Sequence, residues 1–385
     1  MKPYSSQEKQ SAIKNNEDQK ISGNLVFEKE TGQLKLIREN NFDFGFLSKL
    51  KEYKVTTKTK RGTKLSKNLQ TFLADETNSS ILKDITVEII SNIKKCASLW
   101  REFSPQKSLF ETWEFRYAFY KAYKHKPHFI LVKNKSENLG LLPLWYDKDK
   151  KRYSWFGSDW QEENAFFVKN PNLIPFLLYL CPSPVLLESL NLKNFPEFKN
   201  YPLFKQDDPK FVLKLRNIKS AEDFLIKKLK KNRRHNFRKD KRRIERQNPK
   251  IIINNFSNLK EMNRITKKRF KGKNQKADWE EDSRIARSFE NIVKMKKGPY
   301  QLRMITVKIK NKVASVDLIA LYNQCYYALK CGYDVRNFSG IGNFVNLFEI
   351  DDAINLGMKK IDFLQVNYGW KDKWFKAIPL LKYEK

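Results

Sequence analysis

The stretch that decides the fold is GYDVRNFSGIG at residues 332–342, where a strand-like run ends in a glycine-containing turn and a helical pattern begins. Apolar residues recur at helical spacing from 344 to 354, and Gly357 then stands where a helix favours glycine after its last turn. A strand leading into such a turn presents backbone N–H groups at a helix N-terminus, which suits phosphate. The stretch therefore predicts a site for a phosphorylated carrier, such as a coenzyme.

Strands are predicted on both sides of this stretch. Residues 305–309 alternate apolar and polar side chains, residues 313–322 return, and residues 325–333 run out again. Turns of about two residues between them predict an antiparallel meander. Downstream, KIDFL at residues 360–364 predicts a last core strand. A meander, a glycine turn, a helix and a further strand together indicate a mixed α+β domain.

The rest of the chain predicts a second mixed α and β part and a polar extension. Residues 1–80 are polar, with one hairpin-like island near 25–37, and we expect a partly disordered extension there. A proline-rich connection at about 172–205 separates the two structured parts. The domains predicted are therefore 1–80, 81–205 and 206–385. In the middle part we expect strands at 85–90, 128–132, 139–144 and 153–156, and helices at 93–103 and 111–123.

The charge of the chain predicts an anionic partner. There are 77 Lys and Arg against 43 Asp and Glu, a formal net charge of +34. A nucleotide coenzyme, an acidic carrier protein, a nucleic acid or an anionic membrane surface all fit, and a Lys-rich composition bias can account for part of the excess. Residues 221–246 predict one long helix, and residues 224–246 hold twelve basic residues against two acidic ones, a net of +10.

Cysteine spacing and hydropathy exclude several classes of protein. The four cysteines show no C-x-x-C spacing, so we expect neither a zinc knuckle nor a disulfide framework, and no metal. The most apolar window, residues 173–187, is interrupted by prolines and is too short to span a bilayer. The N-terminus lacks the apolar core of a signal peptide. We expect a cytoplasmic protein without stable membrane insertion.

Four places give the chain a likeness to a known family. These are NRRHNFRKDKRRIE at 232–245, GYD at 332–334 with Ser339-Gly340, the strand that contains Asp362, and WKDKW at 370–374. In this order and spacing they resemble GNAT-like proteins of the CelD- or BioF-like acetyltransferase type, relatives of the FemAB aminoacyl transferases. The middle part is similar more weakly, through LGLLPL at 139–144 and Trp100. The resemblance implies two tandem GNAT-like halves, each a mostly antiparallel sheet flanked by helices.

The resemblance also implies a reaction and its co-substrate. In GNAT enzymes an amine attacks the thioester of acyl-CoA, so the site must deprotonate an ammonium, polarise a carbonyl and protonate a thiolate. The loop at 336–342 is expected to hold the pyrophosphate through backbone N–H groups and the helix dipole, although it is one residue longer than usual. A plain strand-to-helix turn is the alternative. The expected coenzyme-binding residues are Arg336, Ser339, Gly340, Ile341 and Gly342.

Four residues are candidates for the chemistry. Asp334 and Asp362 each stand where a core strand ends and are the best general-base candidates, although a cap or an ion pair explains either equally well. Tyr368 is a candidate acid for the thiolate, with packing as the alternative. Lys371 matches the family's lysine and can bind a carbonyl or phosphate, or it is an exposed helix lysine.

Five further residues are expected to bind substrate or an anion. Arginine forks suit phosphate and carboxylate, although a solvated charged face is the alternative for the basic helix. Two departures from the family occur beside the lysine, where Val366 replaces a glycine and a tryptophan replaces a tyrosine. The expected binding residues are Arg233, Arg234, Asn236, Tyr333 and Trp370.

The sequence thus predicts an N-acyltransferase, with acetyl-CoA or another acyl-CoA as donor, or an acidic acyl carrier protein. The acceptor is a small-molecule or peptide amine. Two alternatives stay open: a FemAB-like transferase that uses aminoacyl-tRNA, for which the basic helix would contact RNA, and a non-catalytic GNAT-like module that binds anions or nucleic acid.

Overall fold

The computed structural model describes residues 19–28, 33–38 and 86–385, apart from 136, 199, 200, 273, 296, 297 and 368. The fold is mixed α+β, with two mostly antiparallel sheets flanked by helices, as expected. The predicted hairpin is present as strands β1 (Gln19–Glu28) and β2 (Gln33–Arg38), which pair antiparallel. The other residues of the predicted N-terminal extension, and Tyr368, lie outside the described residues.

The first sheet has the order β2-β1-β3-β4-β5-β6, and β7 pairs with β5. An aromatic cluster on Trp100, Trp113, Phe129 and Phe156 packs between this sheet and its helices, with ring centroids 5.2 to 6.3 Å apart. Such rings bury large apolar areas and stabilise this layer. The remaining strands are β3 (Thr86–Ile90), β4 (Lys126–Lys133), β5 (Asn138–Asp147), β6 (Arg152–Trp155) and β7 (Phe167–Val168).

The second sheet has the order β10-β11-β12-β13-β14-β9-β15-β8. Its meander is as expected, because the turns at 310–311 and 323–324 each hold two residues with positive φ, the conformation that tight hairpins require. Within this sheet only β13 and β14 pair in parallel. The strands are β8 (Leu186–Leu190), β9 (Phe204–Lys214), β10 (Lys250–Ile253), β11 (Gln301–Ile309), β12 (Lys312–Tyr322), β13 (Cys325–Tyr333), β14 (Lys360–Asp362) and β15 (Lys376–Glu384).

Helices flank both sheets. Asn92 caps the first helix by accepting hydrogen bonds from the backbone of Lys94 and Lys95. No helix in the described ranges is long and apolar enough to cross a membrane. The helices are α1 (Ile93–Phe103), α2 (Trp113–Tyr123), α3 (Ile174–Leu180), α4 (Ala221–Lys228), α5 (Lys231–Glu245), α6 (Leu259–Lys271), α7 (Asp278–Glu281), α8 (Ser283–Lys294) and α9 (Ile341–Asn355).

The single long helix predicted for residues 221–246 is wrong. Leu229 has φ −117° and ψ 145°, and this extended residue separates α4 from α5. Its side chain is buried with Phe224 and Phe237. The free energy gained by burying this leucine outweighs what the chain would gain by continuing the helix into turns that are polar. The proline-rich connection also contains α3 and β8, and β8 pairs with β15 of the second sheet.

Candidate active site

The parallel strands β13 and β14 separate at one point. Their pairing covers three positions and ends where Tyr327 lies opposite Asp362. Beyond Asp362 the chain stays beside β9, because the backbone N–H of Phe363 donates to the carbonyl of Phe211 at 2.9 Å and that of Phe211 donates to the carbonyl of Leu364 at 3.0 Å. β13 continues to Tyr333 without β14 beside it. A wedge therefore opens along β13 from residue 328, and the backbone N–H and C=O groups on this edge of β13 do not pair with β14.

A buried charged cluster lies at the closed end of this wedge. Asp362 is fully buried, and its Oδ2 accepts a hydrogen bond from Lys210 Nζ at 2.8 Å. Its Oδ1 accepts from the backbone N–H of Leu364 at 3.0 Å. Lys210 also donates to the carboxylate of Glu163. Burial lowers the pKa of Lys210, but the two carboxylates outweigh it and raise the pKa overall. Asp362 is thus held by two donors.

Lys371 is buried beside this cluster and is not an exposed helix lysine. Its Nζ donates to the carbonyls of Phe363 and Gln365, both at 2.5 Å, and fixes the segment that follows β14. Burial lowers the pKa of Lys371, while the nearby carboxylate of Glu162 opposes the shift. Burial in turn raises the pKa of Glu162, whose Oε2 accepts from the backbone N–H of Gln365 at 2.6 Å. The wedge therefore has an acid–base pair with pKa values displaced towards neutrality.

Glu162 was not among the expected residues. It belongs to the segment between β6 and β7, far in sequence from β13, and no motif marks it. The adjacent Glu162-Glu163 pair is the only signal in the sequence, and a charged pair in a loop is commonly just solvated. Its role depends on the contact between the two sheets, which the sequence does not reveal.

Lys330 places a second cation on the open part of β13. Its ammonium pairs with Asp278 and lies 4.7 Å from the ring centroid of Trp279 and 5.3 Å from that of Trp160. Such cation–π contacts are favourable when the ammonium is partly desolvated. Trp160 comes from the same segment as Glu162, so residues from both sheets form the wall of the wedge.

The loop from 334 to 342 packs against helix α5. Gly340 has φ +89°, and a Cβ there would lie 2.8 Å from atoms of Asp240. Asp240 also accepts from Asn343 Nδ2 at 2.7 Å, and Arg243 Nη1 donates to Ser339 Oγ at 2.9 Å. The N-terminus of α9, which includes Ile341 and Gly342, therefore faces a carboxylate. A phosphate at that N-terminus would lie close to a negative charge.

A more basic pocket lies on the other side of the same loop. It is a cavity of about 170 Å³ between α6 and residues 333–336. The guanidinium of Arg336 reaches the end of α6. If Gly272 carried a Cβ, that atom would lie 2.9 Å from Arg336 Nη2. Asp334 contributes the acidic side chain of the lining and accepts from Asn337 Nδ2 at 2.7 Å. The cations that line the pocket are Arg264, Lys268, Arg269 and Arg336.

The other expected binding residues are spread over the second sheet. Tyr333 is buried, and its hydroxyl donates to Asp317 Oδ1 at 2.6 Å rather than pointing into the wedge. Trp370 packs against Phe363 and Phe375 with centroids 6.2 and 6.0 Å apart. Tyr333 and Trp370 therefore support the walls of the site through packing.

Arg233, Arg234 and Asn236 lie on the first turns of α5. Arg233 and Asn236 are exposed, and Arg234 Nη1 donates to the carbonyl of Ile226 at 3.2 Å. Asp240 is four to seven residues further along the helix, or about 6 to 10 Å at 1.5 Å per residue. The two arginines, with Asn236 beside them, form a basic rim near the 334–342 loop, outside the buried cluster.

Residues 231–372 match the family model described as an acetyltransferase (GNAT) domain. No curated protein sequence matches the chain. Among solved structures, the chain is similar to FemX, with 11% identity, a TM-score of 0.48, and coverage of 76% of this chain and 96% of that one. It is also similar to a tandem GNAT protein from the clavulanic acid biosynthesis pathway, with 7% identity, a TM-score of 0.45, and coverage of 77% of this chain and 98% of that one. A third similar structure is that of L-PGS from Bacillus licheniformis, with 12% identity, a TM-score of 0.43, and coverage of 71% of this chain and 91% of that one.

Proposed function

We propose, from the match of residues 231–372 to the family model of an acetyltransferase (GNAT) domain, that the protein transfers an acyl group from a phosphopantetheine thioester to an amine. The donor is acyl-CoA, acetyl-CoA included, or an acyl carrier protein. The observation that carries the proposal is the wedge between β13 and β14, with Glu162 and Lys371 beside its closed end. The acceptor is a small-molecule or peptide amine.

The donor is proposed to lie along the open edge of β13. Backbone N–H and C=O groups from residue 328 onward can hydrogen-bond the amides of a pantetheine arm. The basic pocket beside residues 333–336 supports binding of the donor's phosphates, because four cations surround about 170 Å³ there. The backbone of residues 339–342 remains a second candidate for the pyrophosphate, although Asp240 opposes an anion at that point. Arg336 contributes to either position.

The amine is proposed to lose its proton to a carboxylate. Glu162 suits this role best because burial raises its pKa. Asp334 and Asp362 remain candidates, but Asp362 already binds Lys210 and the Leu364 N–H. The amine nitrogen then attacks the thioester carbon, the C–S bond breaks, and the thiolate takes up a proton.

The proton donor to the thiolate is proposed to be Lys371 or Tyr368. The pKa of Lys371 is lowered by burial, which makes its ammonium a better acid than an exposed lysine. Tyr368 comes three residues earlier in the chain. Lys371 also fixes the carbonyls of residues 363 and 365, so its removal should disturb both the proton transfer and the shape of the wedge.

A second candidate donor is an aminoacyl-tRNA. The observation in its favour is the exposed basic face of α5, which begins near the loop at 334–342. At 15 residues, α5 is about 22 Å long and can contact only a few phosphates. Transfer from aminoacyl-tRNA that falls steeply with salt, without free-thiol release from any acyl-CoA, would favour this donor. Salt-sensitive nucleic-acid binding without transfer would favour a non-catalytic module.

The test is a panel of acyl-CoA donors and amine acceptors, with free thiol measured as it forms. We expect Glu162→Gln and Lys371→Met to lower the rate by about 10²-fold or more, the usual contribution of one general acid or base. Asp362→Asn should lower it as well, because it removes the partner of Lys210. Asp372→Asn, at an exposed carboxylate next to Lys371, is the matched control and should keep wild-type activity. Unchanged thiol release in Glu162→Gln and Lys371→Met would refute the site, with far-UV circular dichroism confirming that each variant is folded.

A further inference from the structure

Three side chains that can ligate a metal meet at one end of the first sheet. His125 immediately precedes β4, Asp147 ends β5, and Asp149 lies in the turn before β6. Antiparallel pairing sets Lys126 opposite Tyr146, and so brings the histidine beside the first aspartate. One nitrogen and two carboxylate oxygens, one from each residue, lie within 4.8 Å of one another.

The imidazole of His125 is built into this position. The side chain is 3% exposed, and its Nε2 is buried without a hydrogen-bond partner among the described residues. Nε2 faces Asp147 Oδ1 at 3.4 Å, and the edge of the Trp145 ring fixes the imidazole plane with centroids 4.9 Å apart. A buried polar atom without a partner destabilises the fold, and a cation bound between the nitrogen and the carboxylates would remove that cost.

The geometry points to a divalent first-row transition metal, such as Zn²⁺ or Mn²⁺, bound by His125, Asp147 and Asp149. Two ligand atoms at about 2.1 Å from a metal in tetrahedral geometry are about 3.4 Å apart, which matches the distance between Nε2 and Oδ1. An imidazole with two carboxylates favours such ions over Mg²⁺ and Ca²⁺, which prefer oxygen ligands.

Nearby groups limit the affinity. Asp147 Oδ1 already accepts hydrogen bonds from the backbone N–H groups of Asp149 at 2.9 Å and Lys150 at 3.1 Å. Arg284 of α8 donates to Asp149 Oδ2 at 2.5 Å and also binds Asp282, so a metal would use the other oxygen of Asp149. Lys150 pairs with Asp159 instead of the cluster. Because Arg284 belongs to the second half of the chain, the metal would stabilise the end of the β5–β6 hairpin where the two halves touch. This site is independent of acyl transfer, and its failure would leave the proposed function intact.

The test uses the full chain, free of purification tags and stripped with chelator, and titrated calorimetrically with ZnCl₂, MnCl₂ and MgCl₂. We expect one Zn²⁺ or Mn²⁺ per chain, weaker binding of Mg²⁺, and a melting temperature that rises with metal concentration. Asp149→Asn should weaken binding at least about tenfold, since it removes a ligand from an exposed side chain. Arg284→Gln should strengthen it by removing a competing charge.

Asp159→Asn is the matched control, because it makes the same charge change at a neighbouring carboxylate outside the cluster. It should bind metal as the wild type does. Failure of the wild type to bind either metal at a defined stoichiometry would overturn the proposal. Equal affinity of Asp149→Asn and the wild type would overturn it as well.

Discussion

Val366 adopts a backbone conformation that is rare for its residue type. Its φ is 60°, in the left-handed region where a β-branched side chain clashes with its own backbone. The family that the sequence resembles usually has glycine at this place. Leu364, two residues earlier, also has a positive φ, of 64°. The segment between Asp362 and Lys371 therefore holds strain beside the proposed active site, which is where such strain tends to occur.

Relief of this strain predicts that Val366→Gly stabilises the protein. Left-handed geometry costs about 1–2 kcal/mol for an L-residue, and added chain freedom returns about 0.5–1 kcal/mol to the unfolded state. The side chain is 40% exposed, so little burial is lost. We expect a gain of about 0.5 kcal/mol in the free energy of unfolding in urea. Val335→Gly, at a valine that is 43% exposed and has no positive φ, should instead lose a similar amount. Equal effects in the two variants would contradict the strain.

At the scale of elements, the sequence predicted best where short-range chemistry decides the structure. The meander follows from the alternation at residues 305–309 and from turns such as Lys310-Asn311, and the end of α9 follows from Gly357, whose φ is +70°. The break between α4 and α5 was missed because it depends on a tertiary pocket for Leu229. β15 was missed because its burial alternates only in part. Both errors concern elements whose conformation depends on distant partners.

The contact between α5 and α9 gives a prediction for Gly340. Gly340→Ala should lower the free energy of unfolding by more than Gly357→Ala, because both positions have positive φ but only the first also meets Asp240 at 2.8 Å. Strain alone accounts for about 1–2 kcal/mol at either position. We expect the difference in urea denaturation to reach about 1 kcal/mol, within the usual range for overpacking. Similar losses at the two glycines would indicate that Asp240 does not touch the loop.

At the scale of the whole molecule, the candidate site joins distant parts of the chain. The sequence predicted Asp362 and Lys371 near the wedge because they belong to motifs in the C-terminal half. It did not predict Lys210 on β9 or Glu162 and Trp160 on the segment after β6, because their positions depend on how the two sheets meet. Asn164 of that segment strengthens this meeting, since its side chain donates to the carbonyl of Glu188 on β8 and accepts a hydrogen bond from Arg116 of α2.

A buried acidic group beneath α9 makes stability depend on pH. Burial raises the pKa of Asp317 to about 8, and burial also raises the pKa of Glu349. Tyr333 donates to Asp317, while Arg303 pairs with Asp352 nearby. Between pH 4 and pH 8 the folded state keeps a proton that the unfolded state releases. Rising pH therefore favours unfolding, by up to about 1.4 kcal/mol per pH unit for one group.

Asp317→Asn should flatten this dependence. We expect the wild type to lose stability in urea titrations from pH 5 to pH 8, and the variant to lose distinctly less, because it no longer releases that proton on unfolding. Asp372→Asn, at an exposed carboxylate, should retain the wild-type slope. A variant slope parallel to that of the wild type would show that Asp317 is ionised in the folded protein.

The strand order of the second sheet also governs how the chain folds as it is made. β15 follows every other strand of that sheet in the chain, yet it lies between β9 and β8. Its register joins Leu381 to Leu190, a pairing that spans about half of the chain, and such non-local contacts form slowly. During translation, β8 and the edge of β9 that faces away from β14 therefore lack their strand partner until β15 has left the ribosome. The unpaired edges of the nascent chain are a natural target for chaperones, which would shield β8 and β9 until the sheet can close.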